Sequence, residues 1–167
     1  MRSSSSWWGS RVRQARAHVT ARVTPAERDD VATWLSPAEL TLFDAMPAAD
    51  RRHGLDVVTR LRSYGAHDPD LLVAGLLHDC GKGPETRLWH RVGWSLGVRY
   101  GTWVHRSLGV MPGSRSGLER MRGHAERSAE LMAAAGVSDR AVELVLHQAD
   151  PVDPILGGLL LIADEAS

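Results

Sequence analysis

The stretch His78-Asp79-Cys80-Gly81-Lys82 carries the residue types best suited to chemistry in this chain. An imidazole next to a carboxylate is a pair that binds transition metals. Adjacent residues of a helix point about 100° apart, so His78 and Asp79 can reach one cation only where a helix is ending. Gly81 is expected to end it. A simpler interpretation is a helix C-terminus with a cation near its dipole.

Lys82 is the only lysine among the 20 Lys and Arg residues of the chain. A lysine ammonium is a compact charge on a flexible stem, which suits contact with a phosphate oxygen. A protonated ammonium has no lone pair to offer a metal. We therefore predict that Lys82 contacts a substrate phosphate and not a metal.

Further metal-ligand types recur along the chain on segments with a helical pattern. The candidates are His53, His124, His147, Asp164 and Glu165. A metal site in a helical bundle gathers His and carboxylate ligands from several helices. His147 and Asp164 each follow a strongly apolar stretch, so both are expected to be buried, and a buried carboxylate needs a partner or a metal. Any one of the histidines, taken alone, is more often a surface or hydrogen-bonded residue.

The segments that carry these residues all have sequence patterns typical of helices. Capping-box patterns with proline predict helix starts near residues 25 and 37. Further helices are expected from Pro47 to about Tyr64, Leu71 to Asp79, His124 to Ala135, Ser138 to His147, and Asp153-Pro154 to about Glu165. Gly136 should end the third of these, and the last should bury Ile155 and Ile162. We find no strand pattern and no internal repeat, so the expected fold class is all-α.

Length, composition and charge lead to predictions about domain organisation, nucleic-acid binding and localisation. A chain of 167 residues is expected to form one domain, with residues 1–36 as an N-terminal tail and helices and residues 37–167 as the helical metal-binding domain. Residues 84–117 are expected to form an insertion or lid. A net charge of zero carries no strong signal for nucleic acid. One cysteine and the absence of a long apolar run predict a cytoplasmic protein without a transmembrane segment.

The order His53, His78-Asp79, His124, His147, Asp164 resembles the HD-domain superfamily of metal-dependent phosphohydrolases, in its variant with additional histidines between the His-Asp doublet and the final Asp. The resemblance covers about residues 37–167. It implies an all-α, single-domain helical bundle. It also implies a metal site in which His53, His78, Asp79 and Asp164 hold one cation, while Asp79 bridges to a second cation held by His124 and His147.

The same resemblance implies a reaction. One or two divalent transition metal ions, chosen among Mn, Fe, Co, Ni and Zn, would hold a bridging hydroxide that attacks a phosphomonoester or phosphodiester. Asp79 and Lys82 would be the catalytic residues, with Lys82 neutralising phosphate charge. The expected substrate is a nucleotide or a related phosphorylated small molecule.

Two alternative functions remain open at the level of the sequence. HD-type di-iron oxygenases have the same set of ligands, so the ligand pattern does not separate oxygen chemistry from phosphate hydrolysis; Lys82 favours phosphate. A non-catalytic HD-like signalling module is a third interpretation, but such modules usually lack the ligands that this chain has.

The remaining polar residues have simpler interpretations. Glu165 lies about 100° around the helix from Asp164, which predicts a neighbour of the site and not a ligand. Cys80 has no candidate base beside it in the sequence, which argues against a nucleophile. The arginines beside presumed ligands could meet an anionic substrate, although a solvated role is simpler; they are Arg51, Arg52, Arg122 and Arg127. The histidines outside the family pattern are expected to be surface or hydrogen-bonding residues; they are His18, His67, His90 and His105.

Overall fold

The computed structural model describes residues 22–83 and 123–167. These two stretches contain seven α-helices, one short 3-10 helix and no strand, so the predicted all-α class is confirmed. The elements are α1 Pro25–Ala32, α2 Pro37–Ala45, α3 Ala48–Ser63, α4 Pro69–Leu77, the 3-10 turn Cys80–Lys82, α5 His124–Ala134, α6 Asp139–Leu146 and α7 Leu156–Ala166.

The two predicted capping boxes form as expected. Thr24 accepts a hydrogen bond from the backbone N–H of Glu27, whose carboxylate accepts in return from the Thr24 N–H at 2.9 Å. Ser36 and Glu39 repeat the arrangement before α2. Each box satisfies N–H groups that the first turn of a helix leaves unpaired, and the helices begin at residues 25 and 37 as predicted.

Helix α4 is the centre of the bundle. Every residue from Leu71 to Leu77 is buried, because α4 packs against α3, α6 and α7. A helix that is covered on all sides has to be apolar on all sides, which explains the uninterrupted apolar run. The same core takes in Val31 of α1 and Phe43 of α2, both with no exposed surface.

The structure confirms one predicted helix end and contradicts another. Gly136 has φ of 75° and follows α5, and its N–H bonds to the carbonyl of Ala133, so this predicted end is confirmed. Helix α4, in contrast, ends at Leu77 and not at Asp79. Gly81 does not end it by a left-handed conformation, because Gly81 is buried inside the 3-10 turn and has no positive φ. The prediction for Gly81 was therefore wrong.

Helix α7 buries less than its apolar sequence suggested. Its buried residues are Gly157, Leu160 and Ala163, whereas Ile155 is 71% exposed and Ile162 is 55% exposed. The prediction that both isoleucines are buried was wrong. Helix α7 packs against α3 and α4 along one face, so an apolar residue on the opposite face remains in solvent.

Several predictions fall outside the described residues. They concern the tail up to residue 21, the insertion or lid at 84–117, and the residues His18, His90, His105 and Arg122. Among the helices that the structure describes, none combines the length and the apolar character needed to cross a membrane.

Candidate metal centre

His78 and Asp79 form the floor of a cluster at the end of α4. Each is 1% exposed. The helix has ended before them, and Asp79 has φ of −100° and ψ of 3°, outside the helical values. One ligand atom from each of His53, His78 and Asp79 lies within 4.8 Å of the other two. Ligand atoms of the two neighbours can therefore lie close together, because the helix has ended before both of them.

The ring of His78 is held by a backbone carbonyl. Its Nδ1 lies 3.0 Å from the carbonyl oxygen of Gly75. Because a carbonyl only accepts, Nδ1 must carry a proton and donate it. In the neutral ring this leaves the lone pair on Nε2, which is the arrangement that metal-binding histidines commonly have. The sequence offered no signal for this role of Gly75, because any residue supplies a carbonyl.

His53 and Asp164 close a second side of the cluster. His53 lies on α3 and Asp164 on α7. Nε2 of His53 is 2.8 Å from Oδ1 of Asp164, and the same oxygen is 3.5 Å from Nε2 of His78. The centroids of the two imidazole rings are 5.1 Å apart. Residues more than a hundred positions apart in the chain thus meet at the end of α4.

The two oxygens of Asp79 have different neighbours. Oδ1 is 3.4 Å from Nε2 of His78 and 3.7 Å from Nε2 of His124, the first residue of α5. Oδ2 forms an ion pair with the ammonium of Lys82. Asp79 thus lies beside a histidine of each proposed set, which is the position that a bridging carboxylate requires.

Two buried polar atoms at the floor lack a hydrogen bond. Within the described parts of the chain, neither Nε2 of His78 nor Oδ1 of Asp79 has a hydrogen-bond partner. Burying such atoms unpaired is costly. A cation bound by both atoms would satisfy them, so the residues present fit a metal ion.

The electrostatics of the cluster favour positive charge. Burial alone would lower the pKa of His78, but the charges of Asp79 and Asp164 outweigh it and raise that pKa to about 9. Burial alone would raise the pKa of Asp79, yet the neighbouring positive charges, first His78 and then Lys82, hold it well below its usual range. The pKa of Asp164 is likewise lowered, because the hydrogen bond from His53 and the nearby charges of His78 and His53 outweigh its burial. A site that attracts a proton in this way also attracts a metal cation.

Exposure increases from the floor of the cluster to its rim. The side chains of His124, His53 and Asp164 are 23%, 26% and 37% exposed. The apolar stretch before Asp164 predicted a buried side chain, but Asp164 is partly exposed, since α7 turns its outer face to solvent. A floor that is closed and a rim that is partly open would let a bound ion exchange ligands with the solution.

His147 occupies a different environment from the other five predicted ligands. It follows α6 as its C-cap and is half-buried. It lines a pocket of about 250 Å³ together with Glu143, Pro151 and Asp153, among others. None of the other five lines this pocket in the part of the chain that the structure describes. The role of His147 as a ligand of a second cation stays a prediction.

Ser128 is a residue of the site that the sequence analysis missed. It is fully buried on α5, and its Oγ accepts a hydrogen bond from the N–H of Gly81 at 2.9 Å. Its carbonyl faces the sulfur of Cys80 at 3.8 Å. Burial raises the pKa of the Cys80 thiol to about 11, so this thiol stays protonated near neutral pH, in agreement with the argument against a nucleophile.

Two of the arginines beside the ligands, Arg51 and Arg52, contact side chains of α1, α2 and α3. Arg51 lies 3.9 Å from Asp44 and over the ring of Phe43. Arg52 pairs with Glu27 and Asp56. These contacts favour a role in tying α1 and α2 to α3. Glu165 is exposed on α7.

Comparison of the chain with protein-family models, with curated proteins and with solved structures finds no match. The candidate centre therefore rests on the geometry of His53, His78, Asp79, His124 and Asp164, and membership of the HD superfamily stays a prediction.

Proposed function

We propose that this protein is a metal-dependent phosphohydrolase that acts on a phosphomonoester or phosphodiester, in a nucleotide or a related phosphorylated small molecule. The observation that carries the proposal is the pair of buried atoms, Nε2 of His78 and Oδ1 of Asp79, which lack a hydrogen bond within the described residues. They face ligand-type atoms of His53 and Asp164.

The donor atoms define the class of cation. Imidazole nitrogens mixed with carboxylate oxygens suit Mn, Fe, Co, Ni or Zn better than Ca. His53, His78, Asp79 and Asp164 would hold a first ion, and Asp79 would share a second with His124 and, by prediction, His147. The chemistry that such ions supply to ester hydrolysis is activation of water and neutralisation of phosphoryl charge.

Lys82 supports a phosphate as the substrate group. Its ammonium lies against Oδ2 of Asp79, whereas His78 and His124 lie nearest to Oδ1, and its side chain is 12% exposed. Asp79 thus holds a positive charge beside the place where the ligand atoms converge. An anionic ester that reached this place would meet a fixed ammonium.

The rim of the cluster supports access from solution. The partly exposed side chains of His53, His124 and Asp164 border it, while the floor stays buried. A substrate would approach over this rim, where the exposed edges of the ligands remain in contact with solvent.

The experiment is elemental analysis of the purified protein, combined with a panel of phosphomonoesters and phosphodiesters. We expect one to two equivalents of a transition metal, and ester hydrolysis that disappears on chelation and returns with Mn²⁺, Co²⁺ or Ni²⁺. Full hydrolysis after complete removal of metal would contradict the proposal. Bound iron with uptake of O₂ and no ester hydrolysis would replace it with the oxygenase, and no metal binding at all would favour a signalling module.

A further inference from the structure

Two glycines beside predicted ligands lie where a side chain would not fit. Gly54 directly follows His53 on α3. A Cβ at Gly54 would lie 2.4 Å from the carbonyl oxygen of Leu76, two residues before His78. Real Cβ atoms essentially never come within 3.0 Å of such an atom. Helices α3 and α4 therefore touch backbone to backbone at the point where their two histidines meet.

Gly81 makes the equivalent contact on the other side of the floor. It follows Asp79 by two residues, and a Cβ there would lie 2.5 Å from the backbone nitrogen of Ser128 and 2.7 Å from the carbonyl oxygen of His124. The N–H of Gly81 also donates to Oγ of the buried Ser128. The 3-10 turn that directly follows Asp79 is thereby held against the first turn of α5, which carries His124.

We propose that Gly54 and Gly81 are positioning residues of the metal centre: Gly54 sets the separation of His53 from His78, and Gly81 sets the separation of Asp79 from His124. The inference rests on the proposed metal site. It does not follow from the ligand pattern, since neither glycine offers a ligand atom.

The physical reason is that these clashes involve backbone atoms. A side-chain end can rotate away from an added methyl group, but a carbonyl or an N–H moves only with its helix. Metal–ligand distances vary by only about 0.2 Å in good sites. A displacement that a hydrophobic core tolerates would thus separate the ligands too far, and metal affinity should fall by more than a general loss of stability explains.

Val57→Ala supplies the matched control for the α3–α4 contact. Val57 lies on α3 one turn after Gly54 and is fully buried. Its truncation loosens the same interface and lowers the melting temperature without pushing the two backbones apart. Gly158→Ala is the control for a glycine substitution without a clash, because a Cβ at Gly158 meets no atom within 4 Å, and it should bind Mn²⁺ as the wild type does.

The experiment is calorimetric titration of metal-free protein with Mn²⁺, alongside thermal melting. We expect Gly54→Ala and Gly81→Ala to bind Mn²⁺ about ten- to a hundredfold more weakly than the wild type. Val57→Ala should bind as the wild type does although it melts earlier. Wild-type affinity in Gly54→Ala and Gly81→Ala, with melting lowered as in Val57→Ala, would overturn the inference.

Two further measurements keep the outcome decisive. If Gly81→Ala does not fold, Ser128→Ala removes the hydroxyl that holds Gly81 without adding volume, and it should still weaken the Asp79–His124 site; unchanged affinity there would count against the role of Gly81. If the wild type binds no Mn²⁺, the proposed function fails. The spacing of the ligands is then tested on its own, by crystal structures of the wild type and the variants. The His53–His78 centroid distance of 5.1 Å must then increase in Gly54→Ala and stay constant in Val57→Ala, and a constant distance in both would overturn the inference.

Discussion

At the scale of single residues, Asp79 is the centre of the charge arrangement. It is almost fully buried, and its two oxygens lie against histidines on one side and Lys82 on the other. A buried carboxylate is stable only with compensating positive charge. Removing that carboxylate should therefore affect every group of the cluster at once, whereas removing a rim residue should affect one side.

The first prediction concerns metal content. Asp79→Asn keeps the shape of the side chain but removes its charge, so the purified variant should hold close to no transition metal, at either site. Elemental analysis of wild type and variant, prepared side by side, measures this.

Glu165→Gln is the control for Asp79→Asn. Glu165 is exposed on α7 next to Asp164, so its variant should keep the metal content of the wild type. Wild-type metal in Asp79→Asn would refute the bridging role, and loss of metal in Glu165→Gln would move the ligand assignment from Asp164 to Glu165.

The second prediction separates Lys82 from the metal. Lys82→Ala should keep its metal, because an ammonium is not a ligand, and should lower turnover of an anionic phosphoester by roughly ten- to a thousandfold if the contact strengthens in the transition state. Lys82→Arg should recover part of the rate, since arginine keeps the charge but is larger and forked. Steady-state kinetics and metal analysis on the same preparations test this. Unaltered hydrolysis in Lys82→Ala would argue against a phosphate contact and favour the oxygenase.

At the scale of helices, the sequence signals that predict structure best lie at the helix ends. The N–H groups of a first turn and the carbonyls of a last turn need partners, and short-range side chains or a left-handed glycine supply them. Glu27 and Gly136 show the two cases. Glu27 joins the cap of α1 to Arg52 on α3, and Gly136 closes the end of α5.

The third prediction uses the ionisation of Glu27. The backbone N–H of Thr24 and then Arg52 lower the pKa of Glu27 from 4.5 to about 2. Its stabilisation is thus fully present above pH 4.5 and is lost as the pH falls toward 2. The side chain is 37% exposed, so solvent screening reduces the effect, and Glu27→Gln should cost only about 0.5–1 kcal/mol at pH 7.

Urea denaturation at pH 7 and near pH 3 measures the Glu27 effect, with Glu39→Gln as the control. Glu39 makes the same capping box but no ion pair with a described residue, so its loss at pH 7 should be smaller. An equal loss in the two variants would show that Arg52 contributes nothing.

The fourth prediction compares two glycines. Gly136 has φ of 75°, so Gly136→Ala forces a left-handed conformation on a residue with a Cβ and should cost about 1–2 kcal/mol. Gly158 lies inside α7 with free space around it, so Gly158→Ala should stabilise the protein by up to about 1 kcal/mol. Urea denaturation measures both, and a change of the same sign in the two variants would contradict the backbone argument.

At the scale of the whole molecule, the candidate ligands tie distant elements together. His53 comes from α3, His78 and Asp79 from the end of α4, His124 from α5 and Asp164 from α7. These elements surround the same apolar core. A cation bound only by the folded chain would therefore stabilise the fold as a whole.

The fifth prediction is that metal raises the melting temperature. Free Mn²⁺ at about 100 times its dissociation constant should add about 2.7 kcal/mol to the free energy of unfolding. The measurement is thermal melting of chelated protein across a series of Mn²⁺ concentrations, with Ca²⁺ as the control because it prefers all-oxygen ligands. A melting temperature that ignores Mn²⁺, or that rises equally with Ca²⁺, would contradict a site built on histidines.

Local chemistry allowed much of the fold to be predicted from the sequence alone. The starts of α1 and α2, the end of α5 and the central place of α4 depend on residues within about four positions of each other or on continuous apolar runs, so the sequence contains the whole signal. The residue types of the candidate ligands were likewise visible: ligand atoms of His53, His78 and Asp79 lie within 4.8 Å of one another, with Asp164 and His124 beside them.

Only the tertiary structure decided which groups meet and how deeply each is buried. It placed His78 and Asp79 at a closed floor and left Asp164 at the rim. It also placed His147 in the wall of a pocket that none of the other five predicted ligands lines, within the part of the chain that the structure describes. Gly81 was expected to end a helix, but it faces Ser128, 47 positions further along the chain. Contacts between residues so far apart depend on how whole helices pack. The residues near Gly81 in the sequence therefore do not indicate which backbone will lie against it.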